Sequence, residues 1–195
     1  MLAPSRSDIL AAYKRAALPT QAQLDALVRK GASPWSIAGA PDSGERAVRF
    51  ARVIFDGPSF DFDPTADFDM QAEGVPAAVV LALNDFAEPA DLVAWPLKGD
   101  GLASWLGAVA MLGQQHVMAP RLDPALNVFR TGLDWLRGER EGVVLIEPGR
   151  AARHLVDYGP FAVATVEQGN KLEALLTLPP PGIYVVSPAD IREAA

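Results

Sequence analysis

The sequence predicts an α+β fold: an N-terminal helical pair, antiparallel hairpins, then a C-terminal βαβαβ Rossmannoid-like parallel unit. Three observations carry this prediction. Thr20-Gln-Ala-Gln23 is a capping box that opens a run with Leu24, Leu27 and Val28 at helical spacing. Val53-Ile54-Phe55 and Phe60-Asp61-Phe62 flank Asp56-Gly57-Pro58-Ser59, the pattern of a tight hairpin. Three uncharged, β-branched runs, Val143–Ile146, Phe161–Val166 and Ile183–Val186, are separated by helical stretches, as expected of parallel strands covered on both faces. The expected organisation is a helical segment over 1–44 and an α/β domain over 45–195. Within that domain, 45–106 is antiparallel and 143–195 is the βαβαβ part.

Taken in order, Ser7 caps a first helix containing Ile9, Leu10 and Tyr13, and Gly31 supplies the left-handed stop of the second. Ser33-Pro34-Trp35 reads as a loop, and a Trp exposed there would mark a partner surface. Period two puts Phe60 and Phe62 on one strand face and Asp61 and Asp63 on the other. Ala77–Leu83 reads as a buried strand, and Leu92–Trp95 pairs with Leu102–Trp105 in a second hairpin that brings Trp95 and Trp105 together across it. Gly107–Leu112 reads as a short helix stopped by Gly113, Asn127–Phe129 as a strand, and Thr131 as the cap of a brief helix ended by Gly138. Pro148 sits at a first helical position, with that helix ending before Gly159-Pro160. A helix over Gly169–Thr177 and a rigid Pro179-Pro180-Pro181-Gly182 connector lead to the last strand and a helical stub after Ser187-Pro188.

Composition narrows the chemistry. Half of the 195 residues are apolar, too many for a disordered chain. With no cysteine there is no thiol nucleophile, Cys-ligated zinc or iron–sulfur cluster. The net charge of −7 argues against a general nucleic-acid or anionic-membrane coat. That charge is segregated: residues 1–54 net +4 and residues 55–100 net −9, so the two segments are expected to face each other in the fold. The uncharged run Gly101–Pro120 holds Gln114, Gln115 and His116 and falls short of the ~20 apolar residues of a membrane span. Residues 1–18 carry Asp8, Lys14 and Arg15 without an apolar stretch, so no leader is expected and the expected location is cytoplasmic.

Two places hold residue types suited to ligands. The loop Ile146-Glu147-Pro148-Gly149-Arg150, continuing to Arg153 and His154, lies at the carboxyl end of an expected parallel strand. There a helix N-terminus presents N–H groups to an anion, and Arg150 adds a bidentate donor. Glu147 opposes an anion, and the competing reading is a tight turn in which it pairs with an arginine. The acidic run Asp56, Asp61, Asp63, Asp67, Asp69, Glu73 is the second place. Asp61 and Asp63 on one strand face are candidate ligands of a hard cation, against a solvated face that blunts an edge strand. Phosphate-binding glycine loops, the nucleophile elbow and zinc-binding His-Glu-x-x-His are all missing from the sequence, and its two histidines, His116 and His154, lie in different elements.

Asp91-Leu-Val-Ala-Trp95, Trp105-Leu-Gly107, Thr131-Gly-Leu-Asp-Trp-Leu136 and Gly142-Val-Val-Leu-Ile146 resemble prophage-type bacterial proteins of uncharacterised activity, over about half the chain. The C-terminal βαβαβ pattern resembles a degenerate Toprim domain, the metal-dependent fold of primases and topoisomerases. The resemblance places Glu147 at that family's first-strand glutamate. The later Asp-x-Asp is replaced by Ser187-Pro188-Ala189, with Asp190 out of register, so a Mg²⁺ cage for phosphoryl transfer is not expected.

The expectation is therefore a non-catalytic cytoplasmic accessory protein, prophage-associated or serving DNA processing, with a protein partner, no cofactor and no membrane. Against it stands a Mg²⁺- or nucleotide-dependent phosphoryl-transfer or nucleic-acid-processing enzyme using Glu147, Arg150 and Arg153. Nucleic-acid binding through the basic first segment is a third expectation.

Overall fold

A computed structural model describes residues 4–39, 47–65, 73–119 and 125–177. Helix α1, Arg6–Arg15, begins at Ser5 rather than Ser7. The reason is local: Asp8 stands three residues after Ser5, so the Ser5 hydroxyl accepts from the Asp8 N–H while the Asp8 carboxylate accepts from the Ser5 N–H at 2.8 Å. Leu10, at the same offset from Ser7, has no acceptor to return. Helix α2, Gln21–Arg29, starts with the capping box read at Thr20 and Gln23. Residues 34–38 form a short helix α3, Pro34–Ala38, where a loop was expected, because Ser33 caps it through the Ser36 N–H and Pro34 suits its first turn.

Strands β1, Arg49–Asp56, and β2, Ser59–Phe62, form the expected hairpin, closed by the Asp56–Ser59 pair around Gly57, whose φ is +57°. Strands β3, Val75–Leu83, β4, Pro89–Pro96, and β5, Ala103–Ser104, complete a closed five-stranded barrel in the order β1-β2-β5-β4-β3. Its seam is a single parallel pair, Ser59 with Ser104.

The β3–β4 pair is central because both of its faces are buried. Ala77, Val79, Leu92 and Ala94 join Val53, Phe60 and Ala103 in the barrel interior, where α1 adds Ile9, Ala12 and Tyr13. Ala78, Val80, Val93 and Trp95 point the other way, to a core shared with Leu27 of α2 and Ile37 of α3. An uninterrupted apolar run here marks an antiparallel pair sandwiched between two cores. The same period-two logic separates Trp95 from Trp105: the first lies in the shared core, while the second packs on the barrel cluster 6.0 Å from Phe62. The expected Trp–Trp contact is thus replaced by an edge-on Trp105–Phe62 pair.

Residues 107–112 do not form the expected helix. The chain crosses there to a second sheet, entering it as β6, Met111–Leu112, followed by a short 3₁₀ turn at Gln114–His116. This sheet contains β7, Leu126–Phe129, β8, Val143–Leu145, and β9, Phe161–Val163, in the order β6-β8-β7-β9. β7 is parallel to both β8 and β9, while β6 is antiparallel to β8. The strands expected at 143–146 and 161–166 therefore run the same way, but β7 lies between them. Helices α5, Pro148–Leu155, and α6, Val166–Leu176, cover one face through Ala151, Leu155 and Leu172. α6 starts at Val166, three residues earlier than expected, because Thr165 caps it through the Gln168 N–H. Val144 and Ile146 on the opposite face close the shared core with Trp135 and Leu136 of α4, Gly132–Arg137. The connector 179–182, the strand 183–186 and the final stub lie outside the described residues.

Asp91 fixes the crossing between barrel and sheet. It is fully buried and accepts from the Leu92 N–H at 2.7 Å, the Leu106 N–H at 2.9 Å and the Ala108 N–H at 2.8 Å. Burial pushes its carboxyl above the ordinary aspartate range, with the backbone donors opposing that push. For a raised acid the folded state binds the extra proton, so its contribution to stability is fullest below the unfolded pKa and is lost as pH rises through the folded one. Removing the acceptor strands at least three N–H groups: Asp91→Ala is expected to lower stability by about 3 kcal/mol or more, measured as a shift of the urea unfolding midpoint.

Candidate functional site

The strand-end loop forms as the sequence suggests and then closes on itself. Glu147 is the N-cap residue of α5 but makes no side-chain cap bond. Its carboxylate instead accepts from Arg150 Nη1 at 2.6 Å, and the same nitrogen donates to the Gly107 carbonyl at 2.7 Å. Arg150 thereby ties the loop to the barrel–sheet crossing. Glu147, Gly149, Arg150 and Arg153 border one shallow depression with Pro58, whereas His154, the next residue of α5, lies outside it. A Cβ at Gly149 would meet nothing within 4 Å, so this is an open surface rather than a backbone cradle.

The two aspartates of the acidic run part company. Asp61 is exposed on β2, but Asp63 lies beyond the strand end and is buried at 6% exposure. Asp63 accepts from the Thr65 hydroxyl at 2.6 Å, the Thr65 N–H at 2.8 Å and the Gly74 N–H at 2.8 Å. Those donors, with Arg52 nearby, hold its carboxyl below the ordinary range. Arg52, from the basic first segment, thus acts on one carboxylate of the acidic second segment. Asp67 and Asp69 lie outside the described residues. Among the described residues there is no group of three His, Asp or Glu placed to hold a metal ion.

A cleft that the sequence reading did not single out is built from four separated stretches. It has a volume of about 350 Å³ and is bordered by Trp35 and Ser36 of α3, Ala87 of the β3–β4 turn, Gln115 and His116 of the 3₁₀ turn, and residues 139–141 after α4. Ala87, Glu139 and Arg140 all adopt left-handed backbone, with φ of +59°, +54° and +64°. Each such non-glycine residue costs roughly 1–2 kcal/mol, so surrounding contacts must hold them. At 139–140 those contacts come from α3 and α4. Arg140 stacks on Trp135 with its guanidinium 5.2 Å from the ring centre and donates from Nε to the Ser36 carbonyl at 2.6 Å. Ser33 Oγ donates to Glu139 Oε2 at 2.8 Å, and His116 Nδ1 lies 3.9 Å from Glu141 Oε2. Gln115 Oε1 is buried and has no hydrogen-bond donor among the described residues.

The one sequence signal for this cleft was Trp35, whose exposure would mark a partner surface; it is 67% exposed. The left-handed pair after Gly138 left no trace in residue type, since glutamate and arginine do not advertise such backbone.

No family model matches the chain, and no curated protein matches it significantly. Among the described residues no helix is long and apolar enough to cross a membrane.

Asp63 supplies a test of the acidic segment. A lowered carboxyl contributes stability above its unfolded pKa and loses it as pH falls through the folded one. Asp63→Asn is therefore expected to flatten the acid-side decline of the melting temperature, checked by thermal unfolding from neutral pH to below the ordinary aspartate range.

Proposed function

We propose that this chain is a non-catalytic accessory protein that works through protein contacts, with the cleft beside α3 as its docking surface. The observation that carries this reading is the placement of exposed aromatic area. Trp35, on the cleft border, is 67% exposed, and Phe86, next to Ala87 of the same border, is 82% exposed. Large aromatic side chains held out in water beside a concavity are the usual anchors of protein interfaces. The setting we propose is the cytoplasm, in a prophage or DNA-processing system, on the resemblance carried by residues 91–146.

The internal pairing of Glu147 with Arg150 favours this reading over a nucleotide site at the strand-end loop, since the carboxylate and the guanidinium already serve each other. The test compares partner retention by tagged chain from lysate of its own source. Trp35→Ser with Phe86→Ser is expected to lose the retained protein without a drop in melting temperature. Alanine at Glu147, Arg150 and His154 together is expected to keep it. Full retention by the aromatic variant, or a stabilising shift of the wild type with Mg²⁺ and a nucleoside triphosphate, would reverse the assignment.

A further inference from the structure

Beside the start of α4 lies a second hollow, of about 300 Å³. It is bordered by Lys30 at the end of α2, by residues 96–101 where β4 gives way to its turn, and by Thr131, Gly132 and Leu133. Its charge sets it apart in a chain of net −7. Of the four lysines in the sequence, Lys171 pairs with Glu167 at 2.6 Å, and Lys14 is also engaged. The other two, Lys30 and Lys98, come from distant parts of the chain and both border this hollow. Among the described residues neither ammonium has an ion-pair or hydrogen-bond partner.

The polar side chains around them are already in use. Asp100, the only carboxylate among the described lining residues, faces Arg130 Nη2 at 3.3 Å. The Thr131 hydroxyl donates to Asp134 Oδ2 at 2.7 Å. Two positive charges are thus left without a counter-charge. Pro96, Leu97 and Leu133, all half-buried, share the lining and give it an apolar wall.

A phosphate monoester carries close to two negative charges at neutral pH, whereas a carboxylate would leave one ammonium uncompensated. Lysine is a point-charge binder of phosphate, with no need of a planar partner. The volume sits at the lower end of the roughly 300–1,000 Å³ of ligand pockets, which suits a small molecule. We infer that this hollow takes a small phosphate monoester, its phosphate held by Lys30 and Lys98 and its apolar body against Leu97 and Leu133. The inference does not rest on the docking role of the Trp35 cleft, with which the hollow shares no lining residue.

The probe is phenyl phosphate, titrated calorimetrically into the full chain at low salt and at a pH above the second phosphate ionisation, about 6. Inorganic phosphate supplies the charge without the body, and phenol the body without the charge. Saturable binding is expected for phenyl phosphate, tighter than for either control. Lys30→Gln with Lys98→Gln is expected to weaken it roughly tenfold or more, and Arg153→Gln to leave it unchanged. Both lysines are exposed, so their exchange leaves the core untouched, and an unshifted melting temperature verifies this. No saturable binding, or equal binding by the double variant, overturns the inference. Loss in Arg153→Gln overturns it by moving the anion to the strand-end loop. Inorganic phosphate binding as tightly as phenyl phosphate overturns the apolar body, and phenol binding as tightly overturns the phosphate. With no nucleoside and no Mg²⁺ present, none of these outcomes bears on the docking role.

Discussion

The buried carboxylate of Asp91 is the joint on which the two halves of this protein turn. A barrel and an open sheet share no strand, so the chain must leave one and enter the other through irregular backbone, half-buried at 105–107, exposed at Ala108 and buried at Val109 and Ala110. Buried irregular backbone needs partners for its N–H groups. Asp91 sits near the start of β4, inside the fold, and collects the amides of Leu106 and Ala108 from the crossing as well as that of Leu92. Burying an ion is unfavourable, and the upward displacement of its carboxyl records that; the satisfied amides offset it. Just beyond, the Ala110 carbonyl accepts from both Ile146 and Glu147, so the crossing is stitched to β8 as soon as it leaves Asp91.

From that joint the layering follows. Because β3 and β4 bury both faces over 77–80 and 91–95, each side chain there has a core to enter, and alternation decides which one. Sheet β6-β8-β7-β9 repeats the arrangement on the far side, with Val144 and Ile146 toward the shared core and Val143 and Leu145 toward α5 and α6.

The cleft arises where this layering meets its connections. Helices α2 and α3 lie against α4, and the chain after α4 must reverse quickly to enter β8. It does so through two consecutive left-handed residues that Arg140, Trp135 and Ser36 pin in place. Backbone held in an unfavourable region is associated with sites where a defined geometry matters. Here it places Glu139 and Glu141 on the border of the cleft that Gln115 and the exposed Trp35 also line.

Much of this was legible locally. The Thr20 box, the Gly57 hairpin, the Thr131 and Pro148 helix starts and the apolar strands at 77–83 and 143–146 are short-range features whose physics lies within a few residues, and each forms as its pattern implies. What depends on distant residues was not. Nothing near Gly107–Leu112 announces that Asp91 will hold it open, or that Met111 and Leu112 will become a strand by pairing with Leu145 and Val144. The insertion of β7 between β8 and β9, the burial of Asp63 away from Asp61, and the meeting of Trp35, Gln115 and Glu139 are also products of packing. Capping and periodicity are set by neighbours along the chain, which residue types encode directly. Which surfaces meet is set by the sum of many weak burial terms, and only the folded arrangement evaluates that sum.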